Sequence, residues 1–354
     1  MKKAAVSVTP AGIVSAERII MDITSKLIEF VKNVFKTDLE IFLKALKLSP
    51  NAQGYVHGSI SELLLKQELE VHYDCEIKRI REKWEGKKLL THHGDFYFKK
   101  RNEPFWYVIE SKGIKSNSEK WHTLYNLDKL IKFLITNSDK IQWIDTSLPI
   151  EKQINDWIKQ HLPRYLTDFA DPIYDYDHIQ QYATARKTSK SEIIEKLRQY
   201  SRDEIDKQIS ERILYLNTKL RVIETHFVSG KSDSSERTQA TPKISEFNIM
   251  AIDIALKHCE HKFFYANPKS LEPSSADASH LQQNYIMGFI FIGEDGTKVI
   301  SLTEDWYEDF NEVYSSLQPT DAVDEKDMQV DMRFIEEIGE DFIEEQDPEE
   351  HDRN

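Results

Sequence analysis

Asp95, Glu110 and Lys112 are the residues of this chain best placed to do chemistry. Asp95 opens the apolar run Phe96-Tyr97-Phe98. Glu110 and Lys112 close the run Phe105-Trp106-Tyr107-Val108-Ile109. In a β-strand, residues i and i+2 project to one face, so Glu110 and Lys112 point together. A hairpin joining the two runs through Lys100-Arg101-Asn102-Glu103 brings Asp95 to them. Two converging carboxylates suit Mg2+, a hard cation that takes oxygen ligands. A lysine beside them orients a water and favours its deprotonated form. Together these parts serve metal-assisted phosphodiester hydrolysis.

Glu-x-Lys alone says little, because Glu76-Ile77-Lys78, Glu85-Gly86-Lys87 and Glu260-His261-Lys262 share it. Context separates them. Glu85 lies in a polar, glycine-containing stretch that reads as a turn. Glu76 has no apolar run before it, and Glu260 precedes its apolar run instead of ending one. The plainer alternative for Glu110 and Lys112 is a solvated ion pair at a strand end.

The arrangement resembles the PD-(D/E)xK nuclease superfamily and, within it, the type II restriction endonucleases. Asp95, Glu110 and Lys112 are the matching residues, and Gly94 stands where the family name has proline. Many members carry an accessory acid on an upstream helix. Glu62, in Gly58-Ser59-Ile60-Ser61-Glu62-Leu63-Leu64, holds that place. The motif covers roughly residues 57–121. The resemblance implies an α/β (α+β) fold: a restriction-endonuclease-like core with a mixed β-sheet flanked by helices, plus further helical segments and an acidic C-terminal tail. It implies a catalytic set of Asp95, Glu110, Lys112 and Glu62, with Asp95 and Glu110 holding Mg2+ (Mn2+ as a substitute). The activity implied is sequence-specific cutting of double-stranded DNA in defence against foreign DNA. Cutting at palindromes implies a homodimer of matching two-fold symmetry. Two other readings stay open: a repair or junction-resolving nuclease of the same superfamily, and a non-catalytic DNA-binding or scaffold protein.

Composition bounds these readings. The chain has 354 residues, 40% of them hydrophobic and 11% aromatic, enough for a large core. Its net charge of −14 is concentrated at the end. Residues 321–354 hold fifteen acids against three bases, a net of −12 that leaves −2 for everything before them. A near-neutral body binds DNA where its lysines and arginines line one cleft. Two distant cysteines, Cys75 and Cys259, predict a reducing, cytoplasmic setting. Thr9, Pro10 and Gly12 interrupt the leader-like start, and no apolar run is long enough to span a membrane. No glycine-rich phosphate loop is present, so no nucleotide cofactor is expected. His57, His72, His92 and His93 lack the spacing of a zinc site.

Periodicity sets the elements around the motif. Helices are expected over 11–36, 38–48, from Ser59 or Ser61 to about Glu70, 119–137 and 149–160, with a break at Pro50–Gly54. Residues 186–224 read as a long amphipathic segment, best taken as a core-packed helix hairpin, and 229–242 as a polar hinge. Strand-like runs follow at Phe247–Ile254, Lys262–Ala266 and Gln283–Phe291. These readings divide the chain into 1–228 (helices and catalytic core), 244–318 (a β-rich part of the DNA-recognition region) and 319–354 (a partly disordered acidic tail). Two polar loops are expected to touch DNA. Lys115, Ser116, Asn117, Ser118 and Lys120 suit phosphates beside the metal. In the Pro-punctuated loop from Asn267 to Tyr285, Lys269, His280, Gln282, Gln283 and Asn284 suit base edges.

Overall fold

The computed structural model describes residues 10–81, 93–114, 124–171, 173, 202–225, 227, 242–275 and 277–331. The chain divides into two units, 1–60 and 61–354. In the first, helix α1 (Pro10–Phe35) turns through Lys36, in the left-handed region at φ 54°, into α2 (Leu39–Leu48). Asp38 caps α2 by accepting from the Ile41 amide at 2.8 Å. Phe35 packs on Phe42 with ring centroids 4.8 Å apart. Helix α3 (Pro50–His72) starts at the proline that the sequence reads as a break. Proline's fixed φ suits a first helical position, so the same residue ends one helix and begins the next.

The second unit is built on a mixed sheet. Aromatic and β-branched runs form β1 (Cys75–Arg79), β2 (Phe96–Lys100) and β3 (Tyr107–Gly113), as their fit to a pleated, buried surface dictates. With β5 (Ile249–Asp253) and β6 (Phe263–Ala266) they make a five-stranded sheet ordered β1-β2-β3-β5-β6. All neighbours are antiparallel except β3 and β5, which run parallel. A parallel pair needs a crossover. Here it carries α4 (Leu127–Thr136), α5 (Ile150–His161), α6 (Arg164–Thr167), α7 (Arg202–Leu216) and β4 (Leu220–Glu224). Strand β4 pairs with β7 (Ile286–Ile292), and β7 with β8 (Lys298–Leu302), in a separate antiparallel sheet.

Alternation along the strands assigns the faces. Leu65 and Leu69 of α3 and Phe310 and Val313 of α9 (Phe310–Tyr314, after the short α8, Ala255–His258) pack on Phe96, Phe98, Tyr107 and Ile109. The opposite face, with Tyr97, Val108, Met250 and Ile252, packs on Ile223, Met287 and Ile290 of the smaller sheet. That sheet turns Val222, Phe289 and Phe291 to a third cluster with α4, α5 and α7. The result is a mixed α/β structure, its mixed sheet flanked by helices on one face and by a second sheet on the other.

The structure adds three details to the sequence expectations. The boundary at 228/244 does not separate the sheets: β5 and β6 complete the sheet of β1–β3, and β4 pairs with β7. The segment ending at 224 finishes as strand β4, because Leu220, Val222 and Ile223 suit a strand buried on both faces. The first residues of the acidic segment pack on the rest of the fold. Val323 donates to the Trp106 carbonyl at 2.7 Å, and Val330 bridges Ile80 beside β1. Val323, Met328 and Val330, interleaved with the acids, supply the apolar contacts. Of the hinge expected at 229–242, residues 229–241 lie outside the described residues. Among the described residues no helix is long and apolar enough to cross a membrane.

Candidate active site

The β2–β3 hairpin pairs Phe96 with Ile109, Tyr97 with Val108 and Phe98 with Tyr107. Asp95 therefore enters β2 beside the strand that carries Glu110 and Lys112. Its amide donates to the Ile109 carbonyl at 3.0 Å, and its carboxylate Oδ2 accepts from the Ser111 amide at 2.6 Å. These two bonds bind Asp95 to the far end of β3. Gly94 permits the approach: a Cβ there would collide with Val108 Cγ1 and lie 3.1 Å from the Ile109 carbonyl oxygen. Gly94 is thus fixed by packing against β3.

Glu110 and Lys112 share a strand face, and their side chains form an ion pair. The Glu110 side chain is 13% exposed and that of Lys112 is 43% exposed. Burial, followed by the charge of Asp95, pushes the Glu110 carboxyl up to about 8, against the opposing pull of Lys112. Burial opposes the charge on Lys112, but Glu110, Asp95 and Glu62 outweigh it and hold its pKa above lysine's ordinary value. The site thus concentrates more negative charge than its one lysine neutralises.

Glu62 reaches this field from α3. Buried Ser61, Leu65 and Leu69, at spacings of four, line the helix stripe that faces the sheet. Ser61 Oγ lies 3.5 Å from Ser111 Oγ, so α3 docks beside the functional end of β3, on the face opposite Glu110 and Lys112. Glu62 is held at 3.0 Å by Arg79 of β1. Its charge acts on Glu110 and Lys112, but it is the smallest of the contributions at both. Among the described residues no three His, Cys, Asp or Glu side chains converge as a metal cage. A cation here would rest on Asp95 and Glu110, with Glu62 outside their immediate set.

Of the residues expected to touch DNA, Lys115, Ser116, Asn117, Ser118 and Lys120 lie outside the described residues. The loop from Asn267 to Tyr285 is held by bonds within itself and to other parts of the fold. Lys269 pairs with Asp321 at 2.6 Å and His280 with Asp277 at 2.8 Å. The Gln282 amide donates to the Tyr285 hydroxyl at 2.7 Å, and the Gln283 carbonyl accepts from Phe227 at 2.8 Å. Asn284 is exposed. Lys269 and His280 are therefore committed to acids within the fold.

Arg79 was not singled out by sequence reasoning. Arg79 belongs to β1, which includes the Glu76-Ile77-Lys78 motif set aside for want of a preceding strand. That motif does lie on a strand, and its groups are spent structurally. Glu76 pairs with Lys99 at 3.3 Å, and Lys78 stands 4.3 Å over the Trp106 ring. The alternation of Cys75 and Ile77 toward one core was the signal available for β1.

Comparison of the chain with protein-family models, curated proteins and solved structures gives no match.

Proposed function

We propose that the chain is a Mg2+-dependent endodeoxyribonuclease of the restriction type, acting on double-stranded DNA as a homodimer. The observation that carries this reading is the hairpin-fixed set of Asp95, Glu110 and Lys112, with Glu110 buried beside a second carboxylate. Two carboxylates held together against their own repulsion favour a divalent cation. Mg2+ commonly binds through one or two carboxylates, completing its shell with water and phosphate oxygens. Asp95 and Glu110 would hold it, and it would supply charge neutralisation at the scissile phosphate.

The chain's own residues would then divide the work. The Ser111 amide fixes the Asp95 carboxylate by its hydrogen bond. Lys112 stays protonated among three acids, so it serves as a fixed positive charge that orients the attacking water and favours its deprotonated form. Arg79 restrains Glu62 and limits the repulsion it adds at Glu110. The test is digestion of unmethylated phage-sized duplex with Mg2+ or with EDTA. Discrete, Mg2+-dependent bands support the restriction reading, and a smear supports a repair-type nuclease. Intact DNA under all divalent metals refutes both.

A further inference from the structure

We propose that His261, held by the buried carboxylate of Asp253, is a phosphate-binding residue flanking the candidate site. It would grip the DNA backbone next to the phosphate being cut, and in that respect the proposal rests on the nuclease reading above. Asp253 is the last residue of β5, and its parallel register partner is Gly113, one residue beyond Lys112. Neighbouring strands lie about 4.8 Å apart and rise about 3.3 Å per residue, so the Asp253 and Lys112 backbones are about 6 Å apart. Ligands of open α/β sheets gather beyond the carboxyl ends of parallel strands, which is where Asp253 stands.

The Asp253 side chain is 5% exposed and that of His261 is 35% exposed. Asp253 Oδ1 accepts from the Ala255 amide at 2.9 Å, and Oδ2 lies 2.6 Å from His261 Nδ1. One buried acid thus fixes both the chain turn and the imidazole. With Nδ1–H given to the carboxylate, Nε2 is the atom left for a ligand, and in the imidazolium it is a donor suited to an anion. The segment after Asp253 is rich in bases, with Asp253 and Glu308 the acids paired to it. Residues 255–262 hold Lys257, His258, His261 and Lys262 against the single acid Glu260. Lys257 is buried, Lys262 is paired with Glu308, and the His258 side chain is only 15% exposed. His261 is therefore the member of this basic group best placed to meet a ligand. Alternation puts Asp253 on the face of Ser111 and Gly113, opposite that of Glu110 and Lys112. His261 would therefore serve a phosphate other than the one at Glu110 and Lys112.

The test uses the full chain and two probes. Inorganic phosphate is titrated against matched chloride while the His261 Cε1–H resonance is followed, assigned by its loss in His261→Gln. A saturating shift in the wild type that disappears in Asp253→Asn is expected, and no shift in the wild type overturns the proposal. Duplex DNA binding is then measured in EDTA as a function of salt. His261→Gln should make the slope of log K against log[salt] shallower by about 0.9, one phosphate contact, and His261→Lys should restore it. A purely structural His261 would change the melting temperature and leave the slope alone, which overturns the proposal. A phosphate shift in a protein that binds no duplex supports the site and refutes the nuclease reading instead.

Discussion

Replacing Glu110 with glutamine tests the electrostatics of the site without DNA. Burial and Asp95 push this carboxyl from 4.5 to about 8. At about 1.4 kcal/mol per pH unit, ionising it in the fold costs up to about 5 kcal/mol relative to the unfolded chain. The sign follows from proton binding. Between these two values the native state holds the proton and the unfolded state does not. The stability contributed by protonated Glu110 is full below about pH 4.5 and is lost as pH rises through about 8. Glutamine keeps the shape and removes the charge, and it deprives Lys112 of a partner. That partner is worth about 1 kcal/mol, since the lysine is partly exposed and retains Asp95. In EDTA, urea unfolding should show Glu110→Gln close to the wild type at about pH 5 and more stable by about 2–4 kcal/mol at about pH 9. A stability gap that stays flat with pH, or opens toward acid, refutes the reasoning.

Other substitutions follow from the same geometry. Gly94→Ala drives a methyl into Val108 and the Ile109 carbonyl, so it should cost about 1–3 kcal/mol in urea unfolding. A neutral effect would show that the Asp95 turn relaxes freely. Asp95→Asn removes the second-largest influence on Glu110 and should bring its titration, followed by carboxyl NMR, down toward the ordinary glutamate range. An unmoved titration would separate the two side chains. Arg79→Ala leaves Glu62 without its ion pair on β1 and should destabilise by about 1–3 kcal/mol in urea unfolding. Equal loss in Arg79→Ala and in an Arg79→Ala/Glu62→Gln double variant would point to packing instead of charge.

The hairpin was legible because its two runs are short, aromatic and bounded by polar residues. Asp95, Glu110 and Lys112 could therefore be placed from spacing alone, and the register of Phe96 with Ile109 follows that placement. Glu62 was placed on a helix, and α3 carries it there, but its ion pair with Arg79 was not legible. That contact joins α3 to β1, and no local pattern records which strand a helix face meets. The parallel pairing of β3 with β5 was hidden for a similar reason. More than a hundred residues separate the two strands, and each reads as an apolar run whatever its neighbour. The packed start of the acidic segment was masked by its charge, because its few apolar residues follow no helix or strand period.

The central claim is that the pair ending β3, and not the similar motif on β1, carries catalysis. The most direct measurement is single-turnover cleavage of duplex DNA in Mg2+ by the wild type, Lys112→Ala and Lys78→Ala, each checked for folding by circular dichroism. The account predicts that Lys112→Ala slows cleavage at least about a hundredfold, as loss of a preorganised charge does, while Lys78→Ala cuts at nearly the wild-type rate. Cleavage that survives in Lys112→Ala, or fails in Lys78→Ala with its fold intact, would contradict it.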